Sequence, residues 1–283
     1  MQIGRYILYF FVTLMLFPIT AEAKCYEGFP VDDVPNVCNY IASFPTGRAR
    51  QFAEAVLSGS VDKTLEYASM LRNGVNTVGA FGHTALDIAA WRNDQPMMEA
   101  LLKAGARPDG ERDMAPIAIL PQDNTQKFEA SLRMLLHAGA NINGTYRRGT
   151  ATDGAADEGN NEALLTLIAL KADINTDYGS GPPIIEAARG GYWTTVRIFL
   201  QYGVSLWTTD RIGETLGNIA MDQMKPGELA AVLFIDQGSK KEKAEKEALE
   251  QTVVDLKKAG FPWPAPGYEE IRKMQAEHKW PPK

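Results

Sequence analysis

Residues 135–143 have the sequence "LLHAGANIN", and two near copies of it occur in the same chain. One is "LLKAGARPD" at residues 101–109 and the other is "LIALKADIN" at residues 167–175. Counting weaker copies, the phrase occurs six times, at intervals of 31, 34, 32, 32 and 35 residues. Each copy has a glycine near its end, which a lysine replaces in one copy; these residues are Gly74, Gly105, Gly139, Lys171, Gly203 and Gly238.

A second phrase keeps the same interval and is typified by "HTALDIAA" around Thr84. Its copies are 31, 35, 32 and 33 residues apart. Two unrelated phrases with one period of about 33 residues indicate stacked repeats, so we predict a solenoid in which each repeat buries its apolar face against its neighbours. The copies begin at Thr84, Ala115, Thr150, Pro182 and Thr215.

Together the two phrases resemble the ankyrin repeat, whose pattern joins T-P-L-H-x-A-A to a second helix ending in L-L-x-x-G-A. The resemblance covers residues 48–238 and implies an all-α solenoid of about six helix–turn–helix repeats with short hairpin loops. The threonine of the first phrase can cap the inner helix. The glycine of the second takes the left-handed conformation that ends the outer helix. Lys171 in that place should cost about 1 kcal/mol unless the local turn differs.

The segment before the repeats has the features of an exported protein. Residues 1–23 contain Arg5, an apolar run of only 14 residues and an A-x-A site, which predicts a cleaved signal peptide. The alternative, a membrane anchor, needs about 20 apolar residues. Lys24 before Cys25 argues against a lipid anchor. In residues 24–47, an expected N-terminal cap, Cys25 and Cys38 favour a disulfide over two free thiols if the protein is exported.

Residues 239–283 are expected to form a C-terminal helical cap. Leu249, Val253 and Leu256 recur at helical spacing among lysines and glutamates, so one stripe can pack while the other face stays in water. Gly260 is a plausible end for this helix. A stiff "FPWPAPG" linker and a last short helix follow. The even mixture of acids and bases argues against a membrane-surface helix.

Composition and motifs restrict the chemistry. The net charge of −6 and the pI of about 5.3 disfavour a nucleic-acid binder, because phosphate binding needs a basic surface. The chain has no G-x-S-x-G, H-E-x-x-H or G-x-x-x-x-G-K motif, and no histidine has metal-ligand spacing with a cysteine. We therefore predict no enzymatic activity, no metal and no cofactor. An unrecognised catalytic site is the remaining alternative.

The ankyrin resemblance also implies a binding surface, because hairpin tips and inner helices line a concave face in such arrays. His83 is expected on the surface, and Trp91 and Tyr146 are expected to be exposed, whereas Tyr192 and Trp193 favour inward packing. Aromatic residues and arginine are enriched in binding hot spots. The predicted partner contacts are Phe81, His83, Trp91, Arg92, Arg112, Tyr146, Arg147, Asp157, Glu158, Tyr178, Arg189 and Arg211.

Asp157 and Glu158 allow two interpretations. Together with Asp153 they form an acidic cluster on one inner helix, which could contact a partner. An ordinary solvated face explains the same residues, because surface charges need no special role.

These features predict a protein-binding module of the bacterial periplasm, monomeric when free and without a membrane anchor after signal cleavage. Fold and compartment resemble the immunity proteins that neutralise antibacterial effectors of type VI secretion systems, notably phospholipases. The resemblance implies that the partner is a secreted toxin, inhibited sterically. The alternatives are a periplasmic scaffold supporting an envelope or stress-response enzyme, and a secreted effector that binds a host protein.

Overall fold

The computed structural model describes residues 43–44, 47–79, 82–147, 149–179 and 181–281. Within these ranges the chain forms α-helices and 3-10 turns, and its only β-type pairing consists of isolated bridges. The expected all-α solenoid is confirmed. The predicted signal peptide, the Cys25–Cys38 disulfide and Phe81 lie outside the described residues.

Six pairs of helical segments follow one another, each with an inner and then an outer member. The pairs are α1 (Arg48–Leu57) and α2 (Val61–Ser69); α3 (Ala85–Trp91) and α4 (Gln95–Lys103); a 3-10 turn (Pro116–Ile119) and α5 (Thr125–His137); α6 (Ala151–Asp157) and α7 (Asn161–Ala169); α8 (Pro183–Arg189) and α9 (Trp193–Gln201); α10 (Leu216–Gln223) and α11 (Glu228–Val232). Two more helices follow, α12 (Lys240–Lys258) and α13 (Tyr268–Ala276).

Threonine caps three inner helices, as predicted. Thr84, Thr150 and Thr215 each accept a hydrogen bond from the backbone N–H three residues on, and the side chain of that residue bonds back to the threonine N–H. These reciprocal bonds satisfy backbone donors that the first helical turn leaves open. Pro182, at the equivalent position of α8, has no side chain that can do this.

The ends of the outer helices follow the predicted left-handed turn. Gly105, Gly139 and Gly203 have φ of 88°, 96° and 94°, and Lys171 adopts the same region at 70°. The sixth copy departs from the prediction. There Phe234, with φ 51°, ends the outer helix, and Gly238 lies four residues later in the turn before α12.

The third repeat replaces its inner α-helix with the single 3-10 turn Pro116–Ile119. Two prolines explain the difference. Pro116 suits a first helical position, but Pro121 forces Leu120 out of the helical region, and Leu120 is extended with ψ 127°. Only one turn fits between the two prolines.

Alanines bring adjacent repeats together. Ala89, Ala155 and Ala187 are fully or almost fully buried on successive inner helices, where small side chains permit close approach. Larger apolar residues of the outer helices, such as Leu135 and Phe199, fill the space between them. One continuous core therefore runs from Phe44 to Phe261, as expected when each repeat is covered by its neighbours.

Side chains join four successive hairpins to one another, and we call these three bonds the hairpin spine. Asn76 Nδ2 donates to the Gly105 carbonyl at 2.9 Å across 29 residues. Asp109 Oδ1 accepts from the Asn141 N–H at 2.7 Å across 32 residues. Asn143 Oδ1 accepts from the Asp173 N–H at 2.9 Å across 30 residues. The repeat period is thus visible directly in the hydrogen bonds.

The C-terminal segment covers the last repeat. Helix α11 has only five residues, and α12 packs beside α9, where a further outer helix would lie. Glu245 of α12 accepts hydrogen bonds from the Thr194 N–H at 2.7 Å and the Thr194 hydroxyl at 2.8 Å. The residues after α12 also pack against the array. Phe261 stacks on the Trp207 ring with centroids 5.1 Å apart, and Trp280 meets the same ring edge-on at 5.4 Å.

Candidate protein-binding surface

The inner helices and hairpins together form a surface that we call the inner face. Trp91 and Arg92 end the second inner helix, Asp157 and Glu158 end the fourth, and Arg189 ends the fifth. Equivalent positions of stacked repeats form a row, so the structure brings these predicted residues into one line. Their distribution along the array is therefore set by the repeat period.

The fourth inner helix carries crowded carboxylates. Asp157 and Glu158 are solvent-exposed, yet the surrounding chain partly desolvates them and raises the pKa of both side chains. Nearby charges add to this: Asp153 acts on Asp157, while Asp123 and Asp157 act on Glu158. Like charges held together in a partly dry setting disfavour ionisation.

The crowding continues into the fifth repeat. Burial raises the pKa of Glu186, Arg189 opposes that rise, and Asp157 adds to it. Asp123, Asp157, Glu158 and Glu186 therefore influence one another across three repeats, and we call these four residues the carboxylate patch. Asp123 and Glu186 thus extend the acidic cluster expected at Asp157 and Glu158, and the sequence prediction did not include them.

Arg189, predicted to contact a partner, is engaged within the chain. Its guanidinium bonds to Glu186, to Asp210 and, through Nε at 2.6 Å, to Glu214. Glu214 in turn accepts a hydrogen bond from the Tyr268 hydroxyl at 3.0 Å. Three carboxylates around one guanidinium leave this region negative. The bonds of Arg189 connect α8 to the next hairpin, and Glu214 connects that hairpin to α13.

Two other predicted residues are also partnered within the chain. Arg211 is exposed, and its Nε lies 3.0 Å from Asp177 Oδ2. The half-buried Tyr178 hydroxyl donates to Asp173 Oδ2 at 3.3 Å. Exposed ion pairs contribute little stability and exchange readily with water, so Arg211 remains accessible to a partner.

The hairpins of the third and fourth repeats lie side by side. Met114 and Tyr146 form an antiparallel bridge, and the Ala115 N–H donates to the Thr145 carbonyl at 2.8 Å. The exposed Arg147 guanidinium lies 5.8 Å from the centre of the half-buried Tyr146 ring. Arg112 is exposed on the third hairpin, with φ 38°. The fourth hairpin thus presents Arg147 beside Tyr146, and the third presents Arg112 to solvent.

His83 is buried, with 2% of its surface exposed, so the prediction that it lies on the surface is wrong. The Gly79 N–H donates to the His83 carbonyl at 2.9 Å, which folds the turn back onto the helix start. Burial, followed by the positive charge of Arg147, lowers the pKa of the imidazole. His83 therefore belongs to the packing of the hairpins.

Aromatic residues of the inner face differ in their exposure. Trp91 and Tyr146, predicted to be exposed, are half-buried. Trp193 is fully buried, and its Nε1 donates to Gln223 Oε1 at 2.7 Å, as its predicted inward packing requires. The half-buried Tyr192 ring lies so close to Gly190 that a Cβ there would clash with it. Glycine at that position is explained by the tyrosine.

Arg92 is exposed at the end of α3, and its Nη1 donates to the Leu57 carbonyl at 2.6 Å. One arm of the side chain thus fastens the first repeat to the second. The remaining donors of a guanidinium stay available to solvent or to a partner.

Within the described ranges, no three His, Cys, Asp or Glu side chains are grouped so that they could hold a metal ion. No helix in the same ranges is both long enough and apolar enough to cross a membrane.

Comparison with known proteins agrees with the architecture. Residues 81–113 match the family model of the ankyrin repeat. The fold is an ankyrin-repeat solenoid. Ankyrin repeats generally mediate protein–protein binding, and the matched repeat therefore indicates a protein interaction module. No catalytic family is indicated, and ankyrin-repeat proteins are generally non-enzymatic.

Two solved structures illustrate the likeness to other ankyrin-repeat domains. The ankyrin repeat domain of Bcl-3, a member of the IkappaB protein family, is 21% identical over 66% of this chain and 86% of its own, with a TM-score of 0.51. An ankyrin repeat domain from Acinetobacter baumannii AYE is 22% identical over 71% of this chain and 97% of its own, with a TM-score of 0.50. No curated protein matches the chain. At these identities the likeness concerns the fold.

Proposed function

We propose that this ankyrin-repeat protein is an exported immunity protein that binds a secreted antibacterial toxin and inhibits it sterically. The observation that supports the proposal is the carboxylate patch. In this patch the pKa values of Asp157, Glu158 and Glu186 are raised, so their ionised forms are less stable here than in water. A basic partner that brings positive charge to the patch relieves this repulsion.

The proposed mechanism needs only a stiff surface. The inner face covers the active cleft of the toxin and excludes its substrate, and it takes part in no bond making or breaking. A stable complex of this kind buries about 1,600 Å² or more. Charge complementarity between an acidic inhibitor and a basic toxin also accelerates their encounter.

The location is part of the same proposal. Residues 1–23 direct export to the periplasm, where the protein meets an incoming toxin. Fractionation of cells followed by N-terminal sequencing tests this step. A mature protein beginning near Lys24 in the periplasmic fraction supports it, and an uncleaved protein in the cytoplasm contradicts it.

The partner is identified by co-purification from a periplasmic extract with mass spectrometry. We propose a phospholipase as the companion toxin. Deletion of the gene should harm cells only when that toxin is also present. If deletion is harmless while every secreted toxin is intact, the proposed immunity function is wrong. A dependence on an envelope enzyme or a host protein would instead favour the scaffold or the secreted effector.

Charge reversal tests the surface itself. We expect Asp157→Lys combined with Glu158→Lys to slow association with the purified toxin at least tenfold at low salt, and less at high salt, because steering is screened by ions. Glu99→Lys combined with Glu129→Lys reverses two charges on outer helices and is the matched control. Surface plasmon resonance gives both rates. Equal effects of the two double variants would contradict binding at the carboxylate patch.

A further inference from the structure

Phe234 is the residue whose placement the fold explains least. Its side chain is 94% exposed, and its φ of 51° lies in the left-handed region. It ends α11 in the way that glycine ends other outer helices, with the Ile235 N–H bonded to the Ala230 carbonyl at 3.1 Å. A phenylalanine in this position strains the backbone and gains nothing from burial within the chain.

A cavity of about 220 Å³ opens in the same surface segment, between α11 and α12. Leu229 and Leu249 are buried in its wall, and Met224, 48% exposed, lies at the edge. Gln237 and Lys246 belong to the polar part of the lining. The lining is mixed: the leucines and Met224 offer apolar contacts to an aromatic ring, and Lys225, Glu242 and Glu250 add further charges beside Lys246.

We propose that Phe234 inserts into this cavity of a second copy of the chain, forming a two-fold symmetric dimer. The projecting ring and the cavity both lie within residues 223–250. A two-fold contact brings the same surface of each copy together, so each phenylalanine meets the cavity of its partner at once. Burying the ring removes its apolar surface from water, which compensates for the strain at Phe234.

The cavity lies beside the last end of the inner face, because Gln223, which ends α10, is part of its lining. Leu229 of α11 packs near the turn at Gly191, its Cδ1 lying 3.2 Å from where a Cβ of residue 191 would be. That turn joins α8 to α9 at the end of the repeat opposite the hairpins. The proposal is independent of the toxin-binding proposal, and it replaces the monomer expected from sequence.

The first test is sedimentation equilibrium of the purified protein over a concentration series into the high micromolar range. We expect a monomer–dimer equilibrium, and Phe234→Ala should raise its dissociation constant at least tenfold. Tyr202→Ala removes another exposed ring, 49% accessible at the end of α9, and should leave the constant unchanged. A wild-type protein that stays monomeric, or one that grows into longer chains, overturns the proposal.

A complementation experiment tests the insertion itself. Gln237→Trp fills the cavity but keeps Phe234, whereas Phe234→Ala keeps the cavity but lacks the ring. Each variant alone should be monomeric, because both contacts of its homodimer are lost. A mixture of the two should form a heterodimer through the one remaining contact. A mixture that stays monomeric overturns the proposed insertion.

Phe234→Gly separates association from folding. Glycine removes the backbone strain, so the variant should dissociate like Phe234→Ala, yet unfold at a higher temperature than Phe234→Ala under dilute conditions. A glycine variant that dimerises like the wild type would show that the ring is not the anchor.

Discussion

A single buried acid, Asp87, couples folding of the second repeat to pH. Its carboxylate accepts bonds from the Thr84 N–H and hydroxyl, both at 2.7 Å. Burial nevertheless raises its pKa from 3.8 to about 7. The folded chain thus holds this proton more tightly than the unfolded chain, so the associated stability is fully present below pH 3.8 and is lost as pH rises through about 7.

Asp87→Asn should remove this dependence. The chain already uses an amide in the same motif, since Asn218 Oδ1 accepts from the Thr215 N–H at 3.1 Å and its hydroxyl at 2.6 Å. Relative to the wild type, the variant should gain about 1–4 kcal/mol of unfolding free energy between about pH 4 and pH 8. Denaturant titrations at several pH values measure this difference.

The control for that prediction is Asp94→Asn, which changes the half-buried cap of α4. It should not reproduce the change in pH dependence. If Asp87→Asn and the wild type lose stability in parallel as pH rises, the raised pKa of Asp87 is not the cause.

The sequence predicted which residues begin the inner helices, but it did not predict how deeply the neighbouring side chains are buried. Thr84, Thr150 and Thr215 follow the repeat pattern, so their capping role was predictable from local chemistry. The burial of His83 depends on the neighbouring hairpin, which no local pattern describes. The carboxylate patch likewise requires Asp123 to approach Glu158 and Glu186 to approach Asp157 from neighbouring repeats.

At the level of elements, α12 is held by the cap that it supplies to α9. The Glu245 carboxylate accepts both hydrogen bonds offered by Thr194, at the helix end where negative charge is favourable. We expect Glu245→Ala to lower the free energy of unfolding by about 1–3 kcal/mol, because two half-buried donors of Thr194 lose their acceptor. Chemical denaturation monitored by circular dichroism measures the change.

Glu247→Ala is the matched control, because this exposed glutamate lies on the same helix two residues away. Its effect should stay within about 0.5 kcal/mol. Equal losses in the two variants would show that helix propensity, and not the contact with α9, explains the effect of Glu245.

The helical tail was predictable, but its position was not. The stripe of Leu249, Val253 and Leu256 is buried as its spacing predicts, and Gly260 has the left-handed φ of 84° expected at a helix end. Nothing in that stripe specifies α9 as the partner. The short α11 and the left-handed Phe234 decide it, because they end the sixth repeat early and leave the flank of α9 open.

The whole molecule should depend on this tail for its stability. A chain ending after residue 238 exposes the flank of α9 and loses the buried Leu249, Val253 and Leu256. Each such side chain contributes about 1.5–3 kcal/mol, so we expect a large fall in melting temperature. A chain ending after residue 260 keeps α12 and loses only the contacts of residues 261–281, so it should fall less.

Differential scanning calorimetry and limited proteolysis compare the two shortened chains. Cleavage should spread into the fifth and sixth repeats only in the shorter one. If both chains melt at the same temperature, α12 is an appendage and not the closing element of the array.

The hairpin spine gives the array an unusual mechanical character. Each of its bonds links a repeat only to the next one, so tension applied at the two ends loads the junctions in series. In such a series the softest link yields first, and the single turn between Pro116 and Pro121 is the shortest inner element of the array. When the two ends are pulled apart, we therefore expect the third repeat to open first while the repeats on either side stay folded.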